Sequence, residues 1–390
     1  MASVNNMDFV QIATVLNDVR EQVTGQASIA PVTESEFVSV GNTVLKAGFD
    51  PVLSAITQVM ARTIFSNRPY ERVFGSIRMD SQQWGAITRK LAVSDKDFEN
   101  DVRFELVDGA SVDMFKVNKP IILQLNFYGQ TVYSKSITIF RDQLNSAFES
   151  SAQFGQFMAM VMQNVYDMLT QAEETLARLT IANFILGKIS ANNGVIHLLT
   201  EYNAETGLAL TSTTVYQPAN FDPFMKWMYA RLETLSKMMR NRSGLYQIQV
   251  TGKEIMRHTP VDRQNLFLYT PLLNAMKARV LSGTFNASMI EYKNVESVDF
   301  WQNINSPNQL QGSPAVLGTD GDITTPASPV TATSVIGLIA DDEALGYTVT
   351  DEWAAATPFN AKGGYTNQFW HNTKKWYNDF TEKGIVLMLD

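Results

Sequence analysis

The side chains best able to do chemistry in this chain are few and scattered. Its three histidines, His197, His258 and His371, lie far apart, and none falls in an HExxH or other metal-ligand spacing. They read as surface or packing histidines. Carboxylates cluster at Asp341, Asp342 and Glu343 and again at Glu173 and Glu174, and a pair of carboxylates is what glycosidic acid/base hydrolysis needs. Such pairs are brought together from separate elements, however, and Glu174 stands four residues before Arg178, the spacing of an ordinary helical ion pair. Both clusters therefore read as solvated charge. The GTDGD run at 318–322 offers Asp320 and Asp322 but lacks the distal glutamate of a calcium loop, and its Asp-Gly step favours a plain turn. The patterns GxxxxGK[ST], GxGxxG and GxSxG do not occur. No catalytic, cofactor-binding or metal-binding residue is assigned, and the chain does not read as an enzyme.

Bulk properties narrow the classes further. With 390 residues the chain can bury a sizeable core, and 45% hydrophobic with 18% charged residues is an ordinary globular composition. A net charge of -8 and the lack of a basic run argue against general affinity for nucleic acid, which requires clustered Lys and Arg. The same charge suits a surface that must face a polyanion without sticking to it. There is no cysteine, so disulfides, thiolate metal sites and cysteine nucleophiles are excluded. The N-terminal MASVNNMDFVQIATVLNDVREQ has no basic stretch leading into an apolar one, and no apolar run approaches the roughly 20 residues that span a bilayer. The expectation is a soluble, cytoplasmically made chain with no membrane contact.

The elements follow from periodicity. A short helix is predicted over Met7–Val23, then a connector, then a second helix after Asp50-Pro51. From Trp84 to Phe115 charges of both signs crowd around an alternation at Val102, Phe104 and Leu106, the pattern of a β-hairpin projecting into solvent or onto a partner. Ile121–Ile139 alternates as strands with one dry face. Between 152 and 186, Phe154, Met158, Val161, Val165, Met168, Ala172, Leu176 and Leu179 step by three or four, one stripe of an unbroken helix. Its 35 residues would run about 52 Å, against a radius of gyration of roughly 21 Å for a compact chain of this length. Such a rod suits a plate better than a ball.

Beyond it, 195–220 reads as irregular or β. Helices are predicted over Phe221–Arg240, starting at Asp222-Pro223, and over Pro271–Leu281. YQIQVTG reads as a strand, 306–334 as a loop, VIGLIADDEALGYTV as strand and turn, and the terminal IVLML as a strand. The aromatics Tyr365, Phe369, Trp370, Trp376, Tyr377 and Phe380 read as packing between layers or subunits. Helices and strands without regular βα spacing make the fold class α+β.

Two stretches carry a resemblance. FYGQTVYSKSITIFRDQLNSAF at 127–148, through a tyrosine, a Thr-Ile pair, Asp142, Leu144 and Ala147-Phe148, resembles the major head proteins of small short-tailed phages. FNAKGGYTNQFWHNTKKWYNDFTEKGIVLML at 359–389 does so through Asn360, Gly363, Tyr365, Asn367 and His371. The order of elements is similar to the Hong Kong 97-type fold of tailed double-stranded DNA bacteriophage capsid proteins. That resemblance implies an N-terminal arm at 1–65, an extended loop with flanking strands at 66–140, and a peripheral-domain spine helix at 141–194. It further implies an axial domain at 195–345 and C-terminal strands at 346–390 returning to the peripheral domain.

By the same resemblance the chain is a major capsid protein, assembled in the host cytoplasm into pentamers and hexamers of an icosahedral virion head. Scaffolding, portal and decoration proteins are the implied partners, with double-stranded DNA enclosed without sequence-specific binding. The mixed charges of the hairpin fit such a role, because complementary charge sets register and partner choice more than affinity. Arg89, Lys90, Asp97, Arg103 and Glu105 are the expected contact residues, with Trp84 and Phe104 as apolar anchors. Other readings of the residues are a tail or collar component, a cellular encapsulating shell, and a carboxylate-dependent glycoside hydrolase.

Overall fold

A computed structural model describes residues 9–25, 31, 33–46, 51–52, 55–56, 74–79, 88–94, 107–109, 111–112, 115, 117, 119–279 and 294–390. It is α+β, as the sequence predicts. Among the described residues, 51–52 and 55–56 are helical, as predicted after Pro51, and the longer helices are α1 (Phe9–Thr24), α2 (Glu34–Lys46), α3 (Arg141–Ala147), α4 (Ser151–Ser190), α5 (Leu198–Thr206), α6 (Pro218–Arg240) and α7 (Thr270–Arg279). The strands that matter below are β1 (Thr88–Val93), β2 (Ile122–Phe127), β3 (Gln130–Phe140), β4 (Val195–His197), β5 (Gln264–Tyr269) and β6 (Asn294–Val298). Four short strands, β7 (Leu310–Gly312), β8 (Val316–Leu317), β9 (Ile323–Thr324) and β10 (Val330–Ala332), precede β11 (Val335–Asp341), β12 (Leu345–Ala356), β13 (Tyr365–Asn378) and β14 (Gly384–Met388).

The predicted long helix is present and unbroken. At 40 residues, α4 runs about 60 Å. Its start is built twice over: the Ser150 hydroxyl accepts from the Gln153 N–H at 3.3 Å, and the Glu34 carboxylate takes the Ser151 N–H at 2.7 Å and its hydroxyl at 2.5 Å. An anion at a helix N-terminus satisfies amides that have no partner inside the helix. These bonds hold the Glu34 carboxyl below its ordinary value. The helix ends in a turn closed by Gly194, whose φ of +71° suits a residue without Cβ, and where a Cβ would lie 2.4 Å from the Gly384 carbonyl oxygen.

The C-terminal half of α4 covers one face of a five-stranded sheet ordered β4-β14-β11-β5-β6. Helices α5, α6 and α7 cover the other. A sheet buried on both faces needs apolar residues at every position, which is why VIGLIA and GIVLM read as continuous hydrophobic runs. On β11, Val335, Leu338 and Ala340 join the α4 side while Ile336 and Ile339 join the other. The parity changes at the irregularity between Val335 and Gly337 in the pairing with β14, because one inserted residue moves the following side chains to the opposite face.

The N-terminal half of α4 packs instead with α1, α2 and α3, where Leu16, Phe37, Leu144, Phe148, Phe154 and Val165 form a second core. A three-stranded antiparallel sheet, β12-β13-β3, lies along the rod. On β13 the buried row is Thr366, Gln368, Trp370, Asn372 and Lys374, mostly polar, while Tyr365, Phe369 and His371 are half-buried on the other side. Lys374 and Glu173 are both buried and 3.2 Å apart, tying sheet to rod. Among the described residues no helix is long and apolar enough to cross a membrane.

Several sequence expectations are corrected. The stretch expected as a connector contains α2. The region 195–220 contains β4 and α5 rather than irregular or β structure alone. Helix α6 begins five residues before Pro223, at Pro218, because the Gln217 carbonyl already accepts the N–H groups of Asn220 and Phe221. YQIQVTG is not a strand, and 306–334 holds four short strands rather than a bare loop. The terminal IVLML is a strand as predicted, and β14 lies between β4 and β11 in the five-stranded sheet.

Candidate assembly interface

Strands β1 and β2 pair antiparallel with each other and with no other named strand. The register sets Val93 opposite Ile122, Leu91 opposite Gln124 and Arg89 opposite Asn126. Because side chains alternate across a strand, the hairpin has two unlike faces. Leu123 is buried, and Ala92 and Leu125 pack against the main core. The other face carries Arg89, Leu91, Val93 and Ile122, all exposed, with Leu91 67% and Val93 59% accessible. Further along the same excursion Val107, Val112, Phe115 and Val117 are also exposed. Exposed apolar residues gathered in one segment make it the candidate contact surface among the described residues.

Lys90 points the opposite way from Arg89. Its ammonium donates to the Glu382 carboxylate at 2.5 Å and lies 2.9 Å from Asp379 and 3.2 Å from Glu343. Asp379 and Glu382 sit in the turn between β13 and β14, Glu343 in the turn between β11 and β12. Arg257 reaches Glu382 at 3.2 Å, and Arg263 reaches Asp342 and Glu343 at 2.8 and 2.5 Å. Burial pulls the Lys90 ammonium down, but the charges of Asp379 and Glu382 overcome it and leave it well above its ordinary value. Burial lifts the Glu382 carboxyl, against the opposing pull of Lys90 and Arg257. It also lifts Asp341 to about 6, although the Glu343 N–H and the Thr259 hydroxyl both donate to it.

The contact residues expected from sequence are thus divided. Arg89 lies on the exposed face. Lys90 finds carboxylate partners within its own chain. Trp84, Asp97, Arg103, Phe104 and Glu105 lie outside the described residues, as do Val102 and Leu106. The structure adds Leu91, Val93 and Ile122 as exposed candidates, and the signal for them is legible in the sequence: β-branched and aliphatic residues at alternate positions of a charged segment.

The solvated-charge reading of the acidic clusters holds for Glu343, half exposed, and fails for Asp341 at 4% and Glu173 at 3%. The pair predicted between Glu174 and Arg178 is present at 2.7 Å. GTDGD forms the β8–β9 turn, closed by Gly318 N–H donating to the Asp322 carbonyl at 2.7 Å. His371 stacks on Trp353 with ring centres 4.0 Å apart, and His197 bonds Asp390 at 2.7 Å. His258 lines a cavity of about 530 Å³ beside Arg257, Arg263, Asp341 and Glu382. Among the described residues, no group of three His, Asp or Glu is arranged to hold a metal ion.

Comparison with known proteins gives a consistent result. The model of the family described as Phi29-like phage major capsid protein matches residues 12–388. The capsid structure of Staphylococcus phage Andhra is 11% identical with a TM-score of 0.54, covering 83% of this chain and 88% of that one. A structure of the head fiber and inner core protein gp22 of native bacteriophage P68 is 10% identical with a TM-score of 0.53, covering 83% and 87%. At these identities the likeness concerns the fold alone. No curated protein matches the chain.

Proposed function

Since the chain belongs to the Phi29-like phage major capsid protein family, and so is a capsid-forming structural protein of the virion, we propose that the β1–β2 hairpin and the loop it carries lie over a neighbouring copy in the shell. The observation that carries this reading is the uncovered row Leu91, Val93 and Ile122, on a hairpin whose opposite face is fixed to its own body. Fully covering such side chains contributes about 1.5–3 kcal/mol each. Contacts of that size are individually weak, yet a subunit linked to several neighbours multiplies them, and weak contacts let misplaced subunits leave. Arg89, beside the row, and the charged residues Asp97, Arg103 and Glu105 set register, with Trp84 and Phe104 as further anchors.

In this reading copies associate as pentamers and hexamers. Residues 1–65 act as the arm, 66–140 as the extended loop, 141–194 as the spine, 195–345 as the axial unit, and 346–390 as the strands returning to the peripheral domain. The structural family carries no enzymatic role. Enclosure of double-stranded DNA without sequence-specific binding is supported by the net charge of -8, which leaves a packed duplex free to slide. Scaffolding, portal and decoration proteins are the further partners, and the host cytoplasm is the place of assembly.

The test is a triple substitution, Leu91→Thr, Val93→Thr and Ile122→Thr, which keeps β propensity while removing apolar surface. We expect a folded chain by circular dichroism and no closed shells by electron microscopy. Shells at the wild-type yield would refute the interface.

A further inference from the structure

At the root of the hairpin one cation joins three parts of the chain that are distant in sequence. We propose that Lys90 is a clasp that fixes the angle at which the β1–β2 hairpin leaves the body, in a seat the body builds without it. Three observations support this. First, the hairpin shares no strand pairing with either larger sheet. Its other described ties include the apolar contacts of Ala92, Leu123 and Leu125, the Phe127 ring against Tyr377 with centres 5.2 Å apart, the Trp376 N–H donated to the Gly129 carbonyl at 3.1 Å where β2 runs into β3, and one bond from the Ser94 hydroxyl to the Glu254 carbonyl at 2.9 Å. Apolar contacts are non-directional and leave an angle free, whereas a charge held by two or three fixed anions does not.

Second, the seat is self-supporting. The other oxygen of Asp379 accepts from the Thr381 N–H at 2.9 Å and its hydroxyl at 2.6 Å. The Asp379 N–H donates to the Ala344 carbonyl at 2.7 Å, and the Asp341 N–H to the Lys383 carbonyl at 3.0 Å. The two turns are therefore laced to each other by bonds that do not involve Lys90. Third, the seat is short of positive charge. Asp341, Asp342, Glu343, Asp379 and Glu382 face Arg257 and Arg263, with the buried Lys188 close enough to Asp379 and Glu382 to feel their charge, and Lys90 is the cation that the hairpin adds to them. Asp379 Oδ2 lies 2.9 Å from the ammonium, within ion-pair distance. Leu91 and Val93 follow Lys90 on the same strand, so any swing about it displaces the uncovered row.

The clasp stands on intrachain geometry; its consequence for shell closure rests on the proposed interface. Hydrogen exchange by mass spectrometry on the unassembled chain tests it. Lys90→Met should speed exchange in 88–93 and 122–127 by about tenfold while leaving β14 unchanged, and Lys90→Arg should stay within about threefold of wild type. Should Lys90→Met fail to fold, Glu343→Gln, at the half-exposed partner, should speed the hairpin alone by about two- to fivefold. No change in the hairpin, or equal acceleration in β14, would overturn the clasp. Free hairpins that still close normal shells would leave the clasp standing and overturn the interface reading instead.

Discussion

Lys188 is fully buried in the last turn of α4, and burial brings its ammonium down to about 7. It donates to the Tyr246 carbonyl at 2.7 Å and lies 3.2 Å from Asn193 Oδ1, bonds a neutral amine also makes. Between pH 7 and the unfolded value of 10.5 the unfolded chain keeps a proton that the fold has released. Stability therefore rises with pH across that window, by up to ~1.4 kcal/mol per pH unit for this group. Lys383, brought by burial to about 8, acts in the same direction over a narrower window. Lys90 has the opposite sign, its contribution being complete below 10.5 and lost only above it. We expect Lys188→Met to flatten the rise of the urea midpoint between pH 7 and 10 without abolishing it, because Lys383 still releases its proton on folding in that range. A variant with the wild-type slope would show that Lys188 does not titrate there.

At the scale of elements, α4 is the member that both cores share. Phe154, Phe157 and Val165 belong to the core with α1, α2 and α3, while Leu176, Ala177, Ile181 and Ile185 belong to the core under the five-stranded sheet. A kink anywhere along the rod would misalign one core against the other. Ala177→Pro removes a backbone bond and forces a clash one turn back, so it should cost at least ~3 kcal/mol in a urea titration. Leu179→Ala, two residues on but 53% exposed, should change stability by less than about 1 kcal/mol. Equal losses in the two variants would mean that the rod's continuity is not what the fold depends on.

For the whole molecule, the two cores differ in how they are enclosed. Strands β11 and β14 are paired on both sides and covered on both faces. Helices α1 and α2 lie on the other core, and exposed residues such as Val10, 67% accessible, show that they bury one side only. In native-state hydrogen exchange the amides of 335–340 and 384–388 should therefore be slower than those of α1 by at least ~100-fold. The reverse order would place the stable nucleus in the N-terminal helices.

Periodicity made the long helix, α6 and the apolar strands legible, because a stripe at three and four or an unbroken apolar run records burial directly. It failed where the deciding contact is remote. Helix α2 reads as a connector in sequence because of its glycine, serines and threonine, yet Gly41 is where Phe148 packs, 3.0 Å from where a Cβ would lie. In YQIQVTG the alternation correctly buries Ile248 and Val250, but the Gln249 side chain bonds both backbone groups of Ile255, taking the place of a partner strand. The sequence by itself determined the fold class, the rod and the family resemblance, since these depend on local spacing and short runs of residue types. Only tertiary structure decided that Lys90 turns inward to Glu382, 292 residues away, while Arg89 beside it faces out. The physical reason is that a charge is buried or solvated according to its neighbours in space, and chain order does not record them.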